Sequence, residues 1–246
     1  MSINVPNFYT VIIGSELLNG RRKDAHFSFI NIELLKRGWE QKANFVIVDK
    51  PEFIEDVFSL IKKDTNSVLF CFGGIGSTPD DCTRVCAANS FTNGKIQYHK
   101  KAKEIIEKQF GQDAYPHRIE MSNLPLNAKL LDNPINNVPG FYLEKRYFFV
   151  PGFPNMAHPM ILQALDNYYP KSKLKQRLTL TAHCSENELI DTMKQIPNNI
   201  ELSSLPSMID NRKKVVISLA SYDKEETTFY FEMFLTYLKN NKISWS

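Results

Sequence analysis

The chain of 246 residues has few cysteines, no long apolar run and almost no excess of charge of either sign. No apolar run reaches the roughly 20 residues of a membrane helix, and the N-terminus lacks the pattern of a signal peptide. The net charge of +3 gives no electrostatic reason to expect duplex DNA or an acidic membrane as a partner. The cysteines form no CxxC pair and no zinc-ligand spacing: Cys71, Cys82, Cys86 and Cys184. These absences predict a reduced, soluble, cytoplasmic protein that binds neither nucleic acid nor membranes.

Glycine is absent from the last 94 residues, because all ten glycines lie at or before Gly152. Tight phosphate-binding loops and close backbone approaches depend on glycine, so such a site is expected in the N-terminal part. A helical pattern ends at residues 168–170, and the basic run at 171–177 is typical of a solvated linker. The sequence therefore predicts two domains, residues 1–170 and residues 171–246.

The N-terminal part alternates between strand and helix patterns. Strands are predicted at 8–13, 44–48, 68–72 and 147–150, and helices at 24–37, from Pro51, and at 101–110. Residues 111–145 are rich in proline and asparagine and predict loops with short strands. The buried stripes of the first two helices are predicted to contain Phe27, Ile30, Leu34, Leu35, Phe53, Ile54, Val57, Phe58 and Ile61. Apolar strands separated by helices indicate an α/β fold with a mostly parallel sheet covered on both faces.

The C-terminal part predicts a small α+β domain of βαββα order. Ser185 and Glu188 have the spacing of a capping box at the start of its first helix. The order is that of a split βαβ unit, which some RNA-binding domains share. The GxxG loop of a KH domain cannot form without glycine, and no aromatic RNA-binding motif lies on the strands. We therefore predict no RNA binding.

The sequence GGIGSTPDD at residues 73–81 directly follows the third predicted strand. Thr78 and Pro79 predict a helix that begins there, with Thr78 as its N-cap. A helix N-terminus after a parallel strand is a suitable anion site. Asp80 and Asp81 either cap this helix or hold a divalent cation against a bound phosphate. The motif is neither a Rossmann fingerprint, since Pro79 takes the place of the third glycine, nor a P-loop.

The sequence GSELLNG at residues 14–20 follows the first strand. In doubly wound sheets, the loops after the first and third strands often flank the point where ligands bind. Glu16, Asp24, Asp80 and Asp81 are then expected to converge there, with phosphate partners drawn from Arg21, Arg22 and Arg84. The alternative is that Asp24 only caps its helix and that the arginines are solvated.

The glycine loop GGIGSTPDDCTR resembles the GGxGPTPDDxTR signature of CinA-like proteins, which share the molybdopterin-binding fold of MogA and MoaB. GSELLNG is similar to the family's G[DT]ELLxG, and PGFPNM at residues 151–156 is similar to PGVPxEM. The resemblance covers about residues 8–168, and the second half resembles the small middle domain of CinA. It implies a three-layer αβα domain with a mostly parallel sheet, and a homodimer. The chain ends where full-length CinA begins its deamidase domain, so that activity is not expected.

The resemblance implies three chemistries. CinA-type domains hydrolyse the pyrophosphate of ADP-ribose with a divalent metal (Mg, Mn or Co), and the related domain of eukaryotic FAD synthases hydrolyses FAD. MogA-type domains bind molybdopterin and adenylylate it. We expect a metal-dependent nucleotide pyrophosphatase; the alternatives are a non-catalytic molybdopterin- or nucleotide-binding protein and, behind it, a molybdopterin adenylyltransferase.

The resemblance also assigns residues. Asp81, Asp80, Glu16 and Asp24 match acidic family positions and are expected to be catalytic, with Asp80 and Asp81 as metal ligands. The expected ligand contacts are Gly14, Ser15, Gly73, Gly74, Gly76, Ser77, Thr78, Thr83, Arg84, Pro151 and Gly152. Two positions depart from the family pattern: Ser77 replaces a proline and His26 an asparagine. His26 is either a site residue or a helix-surface histidine, and core or surface roles are expected for His99, His117, His158 and His183.

Overall fold

The computed structural model describes residues 5–209 and 212–246. Its strands are β1 (Asn7–Ile13), β2 (Gln41–Ile47), β3 (Ser67–Phe72), β4 (Ile96–Tyr98), β5 (Asn123–Pro125), β6 (Lys129–Leu131), β7 (Gly140–Leu143), β8 (Tyr147–Val150), β9 (Gln176–Ala182), β10 (Glu201–Ile209) and β11 (Arg212–Ser221). Its α-helices are α1 (Ser15–Leu18), α2 (His26–Lys36), α3 (Pro51–Lys62), α4 (Thr83–Thr92), α5 (Lys100–Phe110), α6 (Pro154–Tyr168), α7 (Ile190–Met193) and α8 (Lys224–Asn240). The chain divides into two compact units, one ending at Lys171 and the other beginning at Ser172.

The first unit is a three-layer αβα structure around one mixed sheet with the strand order β2-β1-β3-β8-β7-β6. The pairs β1–β2, β1–β3 and β3–β8 are parallel, whereas β7 is antiparallel to both β8 and β6. Every residue of β3 is buried, as expected for a strand covered on both faces. α2 and α6 pack on one face of the sheet, and α3 and α4 pack on the other. The predicted α/β class and mostly parallel sheet are confirmed.

The strand order brings two predicted loops together. β1 lies between β2 and β3, so the chain leaves β1 toward one side of the sheet and later returns on the other side. The carboxyl ends of β1 and β3 are therefore neighbours at a topological switch point, where ligands bind in open α/β sheets. The segments after these two strands, at 14–25 and 73–82, begin at the same edge of the sheet.

The second unit is a three-stranded antiparallel sheet in the order β10-β11-β9, covered by α8. Since β9 and β10 are both antiparallel to β11, they run in the same direction with β11 between them, which is the predicted split βαβ arrangement. Phe234 and Leu238 of α8 are fully buried in its core. The capping box of Ser185 and Glu188 is present, although it begins a 3₁₀ turn that leads into the short helix α7.

The prediction that a helix begins at Pro79 with Thr78 as its N-cap is wrong. The Asp81 carboxylate accepts the N–H of Thr78 at 2.9 Å and its hydroxyl at 2.5 Å, and the Asp81 N–H donates to the Thr78 carbonyl at 3.0 Å. These bonds close a turn instead of starting a helix. α4 begins only at Thr83.

The predicted buried stripes also need correction. Phe27, Leu35 and Phe53 are 45%, 49% and 48% exposed. On α2 the buried positions are His26, Ile30 and Leu34, because His26 takes the place against the sheet that we assigned to Phe27. Among the described residues, no helix is both long enough and apolar enough to cross a membrane.

Candidate functional site

A cavity of about 500 Å³ lies at the carboxyl edge of the parallel strands of the first unit. Its wall contains Ile13 at the end of β1, Asp49 after β2, the loop from Gly73 after β3, and Pro151 after β8. The predicted residues that line it are Glu16, Arg22, Gly73, Gly74, Gly76, Ser77, Thr78, Asp80, Asp81, Pro151 and Gly152. The predicted residues that are not on this wall are Gly14, Ser15, Arg21, Asp24, Thr83 and Arg84.

The first turn of α4 binds four consecutive carbonyl groups of the glycine loop. The Thr83 hydroxyl donates to the Gly73 carbonyl at 3.0 Å, and the Thr83 N–H donates to the Gly74 carbonyl at 3.0 Å. Nη1 of Arg84 donates to the Ile75 carbonyl at 2.6 Å and also to the Gly76 carbonyl. Arg84, which we predicted as a phosphate partner, is therefore bonded to the loop itself.

The N–H groups of the same peptides are directed away from α4, because C=O and N–H point in opposite directions across a trans peptide bond. These are the amides of Gly74, Ile75, Gly76 and Ser77. Within the described part of the chain, none of the four donates to an acceptor. All four residues line the cavity. Successive unpaired backbone N–H groups form a nest that suits an anion.

The acidic residues stand in two different environments. Asp80 is exposed, and the nearby Thr78 hydroxyl and its own backbone amide lower its pKa. Asp81 is half-buried, and its carboxylate closes the turn on Thr78. Glu16, which also lines the cavity, lies 3.8 Å from the guanidinium of Arg22.

These side chains can supply part of a metal site. Among the described residues, no three His, Cys, Asp or Glu side chains gather as they would around an ion held by protein alone. Mg²⁺ commonly takes one or two carboxylates and completes its shell with phosphate oxygens and water. Asp80 and Asp81 offer that number of carboxylates beside the unpaired amides, so the donor set fits an ion bound together with a phosphate.

Asp49 is a wall residue that sequence reasoning missed. Its carboxylate accepts the N–H of Ser15 at 2.8 Å and the Ser15 hydroxyl at 3.0 Å, which ties the segment after β1 to the end of β2. The available signal was an acidic residue just after a predicted parallel strand, at the same sheet edge as Glu16.

Asp24 and His26 line a smaller cavity next to the large one. Asp24 caps α2, since its carboxylate accepts the N–H groups of His26 at 2.8 Å and Phe27 at 3.0 Å. This is the arrangement that we gave as the alternative to a catalytic role. His26 is only 4% exposed and stacks on Phe72, so it is not a helix-surface histidine.

His26 uses both of its ring nitrogens. Its Nε2 lies 3.2 Å from the Gly152 carbonyl, and its Nδ1 lies 3.2 Å from Nε2 of His158. A carbonyl can only accept, so we assign the His26 proton to Nε2 and a donated proton from His158 to Nδ1. Burial lowers the pKa of His26 to about 4, which keeps it neutral. Sequence reasoning missed His158 as its partner, because no local signal links residues so far apart in the chain.

Another part of the cavity wall is largely apolar. Phe110, Met121, Val138 and Phe153 line it together with the amide side chains of Asn133 and Asn136. Arg22 connects the two parts, because its guanidinium donates to the Gly152 carbonyl at 3.0 Å and lies over the Phe153 ring. A cavity that combines apolar surface, a few polar groups and an anion nest is a suitable site for a ring system that carries phosphate.

Comparison with known proteins places this geometry in a family. Residues 9–170 match the family described as "Probable molybdopterin binding domain". The CinA-like protein of Fusobacterium nucleatum is 28% identical over 75% of this chain and 47% of its own length. That of Pseudothermotoga lettingae is 27% identical over 89% of this chain and 55% of its own length. The chain thus spans about half the length of these curated relatives.

A solved structure agrees with the sequence relatives. The CinA protein of unknown function from Thermoplasma acidophilum is 25% identical and superposes with a TM-score of 0.60, covering 67% of this chain and 98% of that one. The matched region contains the sheet, the glycine loop and all of the cavity wall. The chain belongs to the molybdopterin-binding domain family, among the CinA-like proteins.

Proposed function

We propose that the cavity binds the phosphate groups of a nucleotide on the glycine loop and that the protein hydrolyses a nucleotide pyrophosphate of the ADP-ribose or FAD type. The observation that carries this proposal is the row of four amides, at Gly74, Ile75, Gly76 and Ser77, without an acceptor among the described residues. Backbone N–H groups with fixed directions bind phosphate oxygens and stabilise the charge that develops on them during hydrolysis.

The remaining wall residues suit the other parts of such a substrate. Asp80 and Asp81 would hold a divalent ion, which would polarise a phosphoryl oxygen and lower the pKa of the attacking water. The Arg22 guanidinium, fixed by Gly152 and Glu16, adds positive charge beside the nest. Phe110, Met121 and Val138 provide apolar surface for the base or flavin ring.

The test is product analysis by chromatography after incubation with ADP-ribose, FAD and NAD, each with and without Mg²⁺, Mn²⁺ or Co²⁺. We expect metal-dependent release of AMP, and Asp81→Asn should reduce the rate by about a hundredfold or more, because a metal ligand near the reacting phosphate is lost. Asp56→Asn, on the exposed face of α3, is the matched control and should leave turnover unchanged. Turnover that persists in Asp81→Asn would contradict this assignment.

A second candidate is a binding protein without turnover, for a nucleotide or for molybdopterin. This candidate is favoured by the two hydrogen bonds that Thr78 donates to one oxygen of the Asp81 carboxylate, because that oxygen is then already occupied and less suited to bind a metal ion. A ligand that raises the melting temperature without metal and without product would support this candidate. Product formation only with ATP and a pterin would instead indicate adenylyl transfer.

A further inference from the structure

We propose that Thr83 and Arg84 are positioning residues that set the direction of the four amides in the glycine loop, without touching the ligand themselves. This inference rests on the proposed binding of phosphate by that loop. Each of the four carbonyls from Gly73 to Gly76 accepts a bond from one of these two residues. Because each peptide group is planar, fixing its carbonyl also fixes the N–H on its other side.

Thr83 fixes the first half of the nest. Its hydroxyl holds the Gly73 carbonyl and thereby directs the Gly74 amide, and its own N–H holds the Gly74 carbonyl and directs the Ile75 amide. Thr83 is fully buried, so its side chain is not available to a ligand. A Cβ on Gly74 would stand 2.1 Å from the Thr83 hydroxyl oxygen, and this close approach leaves room for no residue but glycine.

Arg84 fixes the second half of the nest. Its guanidinium holds the Ile75 and Gly76 carbonyls and thereby directs the amides of Gly76 and Ser77. Arg84 is 8% exposed, and no described carboxylate forms an ion pair with it. Burial lowers its pKa and the charge of Asp81 opposes that shift, but an arginine stays protonated at neutral pH.

The charged guanidinium of Arg84, on the carbonyl side of the loop peptides, strengthens the N–H donors on their other side. A charged donor on a carbonyl polarises the whole peptide group, and chains of hydrogen bonds strengthen one another in a protected site. The positive charge of Arg84 is therefore transmitted to an anion through the peptides of Ile75 and Gly76. The charge of Arg84 and the direction that it gives to the amides contribute separately to anion binding. Conservative variants can distinguish the two contributions.

The test is calorimetric titration of the full chain with inorganic pyrophosphate in the absence of metal. Thr83→Val removes the hydroxyl and should weaken binding by about fivefold to tenfold, as expected for one lost orienting hydrogen bond. Thr83→Ser keeps the hydroxyl and should restore the affinity. Thr92→Val is the matched control, because it removes a hydroxyl that also bonds backbone carbonyls, at the other end of α4. Arg84→Met should weaken binding more than Arg84→Lys, which keeps the charge but loses the planar fork.

The changes in amide NMR chemical shift caused by pyrophosphate report on single loop residues and do not depend on the overall stability of the variant. In the wild type, pyrophosphate should shift the amide signals of Gly74, Ile75, Gly76 and Ser77. Thr83→Val should reduce the shift of Gly74 but not that of Ile75, because the backbone N–H of residue 83 still holds the Gly74 carbonyl. Arg84→Met should reduce the shifts of Gly76 and Ser77. Where Arg84→Met does not fold, the comparison of Thr83→Val with Thr83→Ser decides.

The two proposals fail in different ways. If the wild type neither binds pyrophosphate nor shows these shifts, phosphate binding by the loop is wrong, and the positioning role falls with it. If the wild type binds and the folded Thr83→Val and Arg84→Met variants bind equally well with unchanged shifts, phosphate binding stands and only the positioning role is overturned.

Discussion

His26 shows how a buried side chain can shape the cavity without lining its main wall. Its Nε2 proton and the guanidinium of Arg22 both bind the Gly152 carbonyl, and His158 supplies the proton for its other nitrogen. Protonation of His26 would place a second proton on Nδ1, where the His158 donor now lies. The arrangement therefore requires neutral His26, and the pairing with His158 depends on that charge state.

This requirement predicts a pH dependence of stability. The unfolded His26 takes up its proton near pH 6.5 and the folded one only at about pH 4, so between these values the unfolded state binds more protons. The stabilisation is complete above about pH 6.5 and falls as the pH drops toward about 4. Between about pH 7.5 and about pH 5, we expect a loss of about 2 kcal/mol in the free energy of unfolding from this residue.

Urea denaturation at the two pH values checks this expectation. His26→Asn removes the titrating group, so its free energy of unfolding should change less with pH than that of the wild type. His117→Asn, at an exposed position, should keep the wild-type dependence. Equal pH dependence in the wild type and His26→Asn would contradict the account. Some dependence should remain, because burial also lowers the pKa of His158.

Single residues were predictable where their role depends on a neighbour in sequence. The capping box of Ser185 and Glu188 could be predicted, because both of its hydrogen bonds join residues only three positions apart. The pairing of His26 with His158 could not, because it depends on how α2 and α6 pack on the sheet.

At the scale of elements, the loop between β3 and α4 shows where local rules fail. Thr78 and Pro79 satisfy the residue preferences for a helix start, yet Asp81 folds back on Thr78 and closes a turn. The helix starts at Thr83, whose side chain bonds ten residues back to the Gly73 carbonyl. Glycine content and position predicted a loop for close backbone approach, but its partners follow from tertiary contacts.

The tight fit of this loop predicts the effect of Gly74→Ala. The residue has φ +68°, and an added Cβ would displace the Thr83 hydroxyl from the Gly73 carbonyl. We expect the free energy of unfolding to fall by about 3 kcal/mol, from backbone strain together with the clash. Gly20→Ala is the matched control, because Gly20 has φ +76° but nothing within 4 Å of its added Cβ. For this control, the free energy of unfolding should fall only by the cost of the backbone conformation, about 1 kcal/mol.

Urea denaturation of both variants measures the difference, and pyrophosphate titration shows whether the loop still binds. Gly74→Ala should bind more weakly, whereas Gly20→Ala, which is not on the cavity wall, should bind as the wild type does. Equal losses of stability in the two variants would mean that the contact with Thr83 contributes nothing beyond the backbone conformation.

At the scale of the molecule, the class of fold was predictable because the pattern of buried residues repeats in every central strand. In β1, for example, Phe8 and Ile12 face one helical layer while Val11 and Ile13 face the other. The antiparallel strands β6 and β7 lie in the segment rich in proline and asparagine, where short strands give a weak signal. That segment supplies Asn133 and Val138 to the cavity wall. The glycine loop could be predicted from its sequence, but the apolar part of the wall could not.

The division into two units predicts that the candidate site does not require the second one. All residues that line the cavity lie between Ile13 and Met156, and the cores around the sheet contain residues of the first unit alone. A shortened chain of residues 1–171 should therefore fold and bind pyrophosphate within about twofold of the full chain, since compact units with their own cores can fold alone. Circular dichroism and calorimetry check the two parts of this expectation, with Arg84→Met in the shortened chain as the control for specific binding. A shortened chain that folds but no longer binds would assign the second unit a direct part in the site, whereas equal binding would confine recognition of phosphate to the glycine loop and its neighbours.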